Sequence, residues 1–156
     1  MSKEEMVNYN DLKSIIMLKY LNDSMLDKLS SVTHIEAYRS GDYIFNEGED
    51  AENLYAVIEG KVRLAVDKQY PAQISISDIT RGMTFGFSAA VDHEKKTYMA
   101  YAEAITDVKL YKWASADLET LFNQDFEMGF LFMKEIAKII KDRLRIRNIQ
   151  FLDLYK

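Results

Sequence analysis

Leu54-Tyr55-Ala56-Val57-Ile58-Glu59-Gly60-Lys61-Val62-Arg63-Leu64-Ala65-Val66 is the stretch that decides the fold. Leu54, Ala56 and Ile58 alternate with Tyr55 and Val57, and past Glu59-Gly60 the alternation resumes at Val62, Leu64 and Val66. A period of two belongs to a strand, because successive side chains leave an extended chain on opposite faces. A lone glycine inside such a run marks a bulge or a tight bend. The stretch therefore predicts strand on either side of Gly60.

The same reading extends outward. Upstream, Ile35 to Arg39 and Tyr43-Ile44-Phe45 read as strands, separated by the turn Ser40-Gly41-Asp42 and followed by the turn Asn46-Glu47-Gly48-Glu49-Asp50. Downstream, Asp67 to Ala72, with the only proline at Pro71, reads as a hairpin loop. Ile74 and Ile76 alternate with serines, Ile79 leads to Gly82, and strands follow at Tyr98 to Ile105 and Val108 to Trp113. Short strands with turn signals about every 8–12 residues predict an antiparallel sandwich or barrel of the jelly-roll kind, assigned as a jelly-roll barrel, a double-stranded β-helix.

Helical periods flank the barrel. Asn10 is a candidate N-cap for a helix whose Leu12, Ile15 and Ile16 share a face, and Asn22, Asp23 or Ser24 for a second carrying Met25, Leu26, Leu29 and Val32. After the barrel, Ser115 is the expected cap of a helix with Leu118, Leu121 and Phe122, and Asp125 that of the longest helix, to about Leu152. On it Phe126, Phe130, Met133, Ala137, Ile140 and Leu144 form one seam, resumed at Phe151 and Leu154, beside a second row of Phe132, Ile136, Ile139 and Ile146. One stripe suffices to dock a helix on its own barrel. Two predict a homodimer through the helix Phe126–Leu152, unless the N-terminal helices cover the second row. The fold class is α+β, one domain in three parts: helices at 1–33, ligand-binding barrel at 34–113, and C-terminal helices at 114–156.

Composition narrows the function. The chain has 156 residues, 48% hydrophobic and 29% charged, enough for one core. There is no cysteine, so thiolate metal sites and cysteine nucleophiles are excluded. His34 and His93, far apart in sequence, leave little from which to build a zinc site or a catalytic triad. No metal, cofactor or enzymatic activity is expected. No apolar run approaches the ~20 residues that span a bilayer, and Met1 to Glu5 is polar where a signal peptide would be apolar. A soluble, cytoplasmic protein with no membrane partner is the expectation. Net charge is −5, which argues against nucleic acid as the partner. From Lys134 onward seven basic residues face three acidic ones. Arg143, Arg145 and Arg147 stand at alternate positions, which point around a helix and not along one row; they are assigned to the dimer edge and solvent.

The candidate site is Arg81-Gly82-Met83-Thr84-Phe85-Gly86-Phe87-Ser88, answered by Lys95-Lys96-Thr97. Glycine allows close approach of backbone to a ligand, and a short helix after Gly86 would present N–H groups to an anion. Two ammonium groups and a hydroxyl follow. The pattern reads as a phosphate cradle.

Helices, a jelly roll and a long helix, with glycines at 41, 48, 60, 82 and 86, make the chain resemble the cyclic-nucleotide-binding domain of the catabolite-activator and kinase-regulatory-subunit family. The residues that carry the resemblance are Gly41-Asp42-Tyr43-Ile44-Phe45-Asn46-Glu47-Gly48, Leu54 to Val62, and Gly82-Met83-Thr84-Phe85-Gly86. In that family the cassette runs Phe-Gly-Glu, a short helix, then an Arg followed by Ser or Ala. The Glu accepts from the ribose hydroxyl, and the Arg and amides hold the cyclic phosphate. Phe85 and Gly86 match this pattern. The Glu position holds Phe87, and counting back from Ala102 the Arg position holds Lys96, followed by Thr97. Phenylalanine accepts no hydrogen bond, a contact of roughly 1.5–3 kcal/mol, and lysine lacks the bidentate fork.

The resemblance thus implies a stand-alone regulatory domain sensing a small anionic ligand through Gly86, Phe87, Ser88, Lys96 and Thr97, with cyclic AMP or cyclic GMP bound weakly or not at all. Some family members bind haem, for which a histidine at a helix–strand junction and another in a loop are thin material. Two alternatives stand beside it: an interaction or scaffold protein with a vestigial pocket, and a transcription-regulator relative lacking its DNA-binding domain.

Overall fold

The computed structural model describes residues 6–66 and 74–154. The polar segment at 1–5 and the hairpin loop expected at Asp67 to Ala72 lie outside them. Eight strands are found among the described residues: β1 (Thr33–Tyr38), β2 (Tyr43–Phe45), β3 (Asn53–Glu59), β4 (Val62–Val66), β5 (Ile74–Ile79), β6 (Thr84–Phe85), β7 (Tyr101–Ala104) and β8 (Val108–Ala114). The helices are α1 (Asp23–Ser30), α2 (Ser88–Val91), α3 (Ser115–Gln124) and α4 (Phe126–Asp153). Two four-stranded antiparallel sheets, β1-β8-β3-β6 and β2-β7-β4-β5, face each other as the jelly roll expected.

The deciding stretch divides between the sheets, with β3 in the first and β4 in the second, and the chain turns at Gly60. Leu54 and Ala56 belong to a core shared with the helices, whereas Tyr55 and Val57 point into the barrel. Both faces of β3 are therefore buried, which is why its alternation is apolar against apolar.

The N-terminal segment differs from the expected helix. It forms two 3₁₀ turns, Asp11–Ser14 and Ile16–Leu18, because Ile15 between them is extended. Asn10 has helical backbone angles and its side chain caps nothing. The break lets Leu12, Ile15, Met17 and Leu18 all bury, and it leaves Ile16 exposed. The Ile16 amide donates to the Gly82 carbonyl at 2.9 Å. Gly82 has φ +83°, and a Cβ there would lie 2.9 Å from the Ser14 carbonyl oxygen, so this junction requires glycine.

Among the three candidate caps of α1, Asn22 is the one used, accepting from the Met25 amide at 2.9 Å. Asp125 caps α4 as expected, accepting from the Met128 amide at 3.0 Å. Ser115 does not cap α3. Its amide donates to the Glu52 carbonyl, continuing the β3–β8 ladder, so the helix starts one residue earlier from Ala114 and the hydroxyl is free for another partner. β7 is shorter than expected, Tyr101–Ala104 in place of Tyr98 to Ile105.

The row Phe132, Ile136 and Ile139 of α4 packs into the core shared with the N-terminal segment. Of the expected seam, Phe126, Phe130, Ala137, Ile140 and Leu144 are exposed, whereas Met133 packs against the same core as the inner row, a correction to its place on the seam. Ile146, expected on the inner row, is exposed, as is every described residue from 144 to 154. No helix among the described residues is long and apolar enough to cross a membrane.

Candidate functional site

β6 holds one shoulder of the glycine turn. It pairs with β3 through Tyr55–Phe85 and Ala56–Thr84, and the exchange of Gly82 N–H to Val57 O and Val57 N–H to Met83 O (2.9 Å each) fixes its start. Gly86 then takes φ +86°. A Cβ there would lie 3.1 Å from the Asn53 carbonyl oxygen and 3.5 Å from the rings of Tyr55 and Tyr98. A side chain at this position would meet both strain and contact.

Ser88 opens α2, and the chain returns along the turn at Gly48. The Ala51 amide donates to Lys96 O (2.8 Å), Thr97 bridges to Asp50, and Tyr98 and the Gly48–Glu49 turn exchange bonds of 2.9 and 3.0 Å. This return path carries Tyr98 into the barrel. Its ring stacks on Phe45 with centroids 3.6 Å apart, next to the stacked pair Tyr55 and Phe85 at 5.3 Å. The Tyr98 hydroxyl donates to Asn53 O at 2.6 Å and accepts from Asn53 N–H at 3.2 Å. All four rings are buried. Burial pushes the Tyr98 hydroxyl up to about 12, against the opposing effect of the Asn53 backbone bond, and burial likewise raises Tyr55.

The expected ligand residues do not converge. Gly86, Phe87 and Ser88 are contiguous, and Thr97 lies on the return path beside Asp50. Lys96, however, is turned to the other end of α2: its ammonium donates to Ser115 Oγ at 2.7 Å and to Ala89 O at 3.3 Å, and Ser115 Oγ itself donates to Ala89 O at 2.6 Å. This triangle ties α2 to α3 at the edge of a 240 Å³ cleft that His93, Glu119 and Asn123 also line. Phe87 packs with the helical core and not in the barrel. Over its ring, 5.0 Å from the centroid, lies the guanidinium of Arg143, whose Nη2 donates to Thr84 O at 2.5 Å. Arg143 is half-buried, a correction to its assignment to the dimer edge and solvent.

Two residues beside the turn escaped the sequence reading although each left a signal. Tyr98 has the same parity as Ala102 and Ala104, whose side chains also enter the barrel core. Arg143 is the missing step in the row 132, 136, 139, 146, whose spacing of four and three passes through it. Among the described residues, no group of three or more His, Asp or Glu could hold a metal ion.

With this geometry in view, comparison with known proteins is specific. The family model of the cyclic nucleotide-binding domain matches residues 35–125. The chain is 28% identical over 149 residues to cGMP-dependent protein kinase, isozyme 1, of Drosophila melanogaster, covering 89% of this chain and 19% of that protein. It is 31% identical over 107 residues to the cAMP-dependent protein kinase type II regulatory subunit of the same organism, covering 65% of this chain and 28% of that one. The chain thus spans less than a third of these relatives. Among solved structures, a cyclic nucleotide-binding domain from Methylobacillus flagellatus superposes with a TM-score of 0.79 at 14% identity, covering 94% of this chain and 81% of that one. The catabolite activator protein of Thermus thermophilus does so with 0.72 at 24%, covering 89% and 62%. At such identities these structures speak for the fold.

Proposed function

Because this chain belongs to the cyclic nucleotide-binding domain family, we propose that it is a regulatory module with a rebuilt cassette, which senses a small anionic ligand and binds cyclic AMP and cyclic GMP weakly or not at all. The observation that carries this reading is Tyr98. Its ring lies against Gly86 and Phe45, and its hydroxyl is held by both backbone groups of Asn53. A ligand entering beside the glycine turn must displace a buried ring and a pair of hydrogen bonds. The residues at the family's acidic and guanidinium positions, Phe87 and Lys96, are engaged elsewhere, with Arg143 and with Ser115. What remains for an anion is the backbone: the bare Gly86 and the start of α2 at Ser88. The module is a homodimer through the exposed seam of α4.

Calorimetric titration with cyclic AMP and cyclic GMP tests the first half, and micromolar binding of either would overturn it. Thermal shift across a panel of anionic metabolites, repeated on Lys96→Ala and Tyr98→Ala, tests the second. The filled barrel favours one other reading, an interaction protein with a vestigial pocket. A panel that shifts neither the native chain nor Tyr98→Ala would select it.

A further inference from the structure

Arg143 is the basic side chain of the α4 far half that turns inward, as the row through 132, 136 and 139 requires. Its guanidinium donates to Thr84 O at 2.5 Å and covers the ring of Phe87 at 5.0 Å. Thr84 and Phe87 stand on either side of the Phe85-Gly86 turn, so one side chain grips both shoulders of the cassette. None of the ion pairs among the described residues includes it. Burial draws its pKa down to about 10, which leaves it cationic at neutral pH. A guanidinium taken out of water without a carboxylate is costly, and a carbonyl and a ring face offset only part of that cost. Beyond it, residues 144–154 are all exposed, so Arg143 is the last residue of α4 that is even half-buried.

We propose that Arg143 is a positioning residue, a latch that couples the conformation of the cassette turn to the docking of the far half of α4. The regulatory use of the latch rests on the function proposed above; the coupling itself is a property of the ligand-free chain. With the latch closed, β6, Phe87 and α4 form one unit. Movement of the turn frees the helix, and undocking of the helix frees the turn.

Hydrogen exchange of the ligand-free protein, read amide by amide, tests this. Arg143→Ala is expected to accelerate exchange about tenfold or more both at 84–91 and at 137–153, leaving the central strands β3 and β8 unchanged. Arg143→Lys, which keeps charge without the planar fork, is expected to fall between. Acceleration confined to 137–153, or none in either segment, overturns the proposal. Should Arg143→Ala loosen the whole fold, urea unfolding of Arg143→Ala, Phe87→Leu and the double variant decides. Non-additive losses support the latch, and additive losses overturn it. No ligand enters these measurements, so a failed titration leaves the latch standing, and a failed latch leaves the titrations to be judged alone.

Discussion

At Tyr98 the hydroxyl and the ring make separable contributions. The ring fills the space beside Gly86, and the hydroxyl satisfies the N–H and C=O of Asn53. Tyr98→Phe keeps the stack on Phe45 and leaves those backbone groups short of a partner, so a loss of about 1–3 kcal/mol is expected in urea unfolding. The same residue sets an alkaline limit. Its pKa is raised by burial to about 12 in the folded chain, against about 10 in the unfolded one. The unfolded chain therefore loses its proton first. The stability involved is full below about pH 10 and is lost as pH rises through about 12. Tyr55 and Tyr38, both raised chiefly by burial, act in the same direction. Urea midpoints followed over this range should fall, and less steeply in Tyr98→Phe; an identical slope in the variant would remove Tyr98 from the account. Parity along the strand expected at Tyr98 to Ile105 makes this residue legible in principle, although the observed β7 begins only at Tyr101. Lys96 was not legible, because the direction of its side chain is set by Ser115, nineteen residues away and on another element.

Elements whose signals are local are legible in the sequence, and those that depend on distant neighbours are not. Asp125 is a cap because its carboxylate meets the Met128 amide three residues on, a relation sequence contains. Ser115 looked equivalent, but its amide is claimed by Glu52 across the sheet. At the N-terminus the apolar positions were right and the helix was not, since extended Ile15 serves burial against the sheet better than a continuous helix would. On α4 both rows were visible, and only packing could decide which faces the domain. Ile136 at 1% exposure and Phe130 at 64% define the answer. Ile136→Ala should cost about 2–5 kcal/mol, as for other core truncations. Phe130→Ala should change the stability of the isolated subunit by no more than about 0.5 kcal/mol. Chemical denaturation at low protein concentration compares them, and equal losses would contradict the assignment of faces.

At the scale of the whole molecule, the seam residues Phe126, Phe130, Leu144 and Phe151 are each more than half exposed along α4, with Leu154 just past its end. Exposed stripes of this kind mark association surfaces, and the proposed occupant is a second copy. The charges qualify how that dimer should behave. Lys134, Lys138, Lys141, Arg145 and Arg147 lie on the same exposed stretch, opposed there by Glu127, Asp142 and Asp153. Two copies side by side bring like charges together, and salt screens that repulsion within about 10 Å at 0.1 M. Dimerisation should therefore strengthen as salt is added, opposite to an interface held by ion pairs. The thermal midpoint should rise with protein concentration, as it does whenever folding and association are linked. Phe130→Glu combined with Leu144→Glu should yield a monomer that keeps its fold, since neither side chain enters the core. Arg143 and Leu144 are adjacent, one gripping the cassette and the other exposed on the face proposed to meet the second copy. Association should therefore slow exchange at residues 84–91 as well as along the seam. Sedimentation velocity across protein and salt concentration, with exchange measured on the same samples, checks both statements. A single species of monomer mass throughout would sink the dimer, and a dimer that leaves 84–91 unprotected would detach it from the cassette.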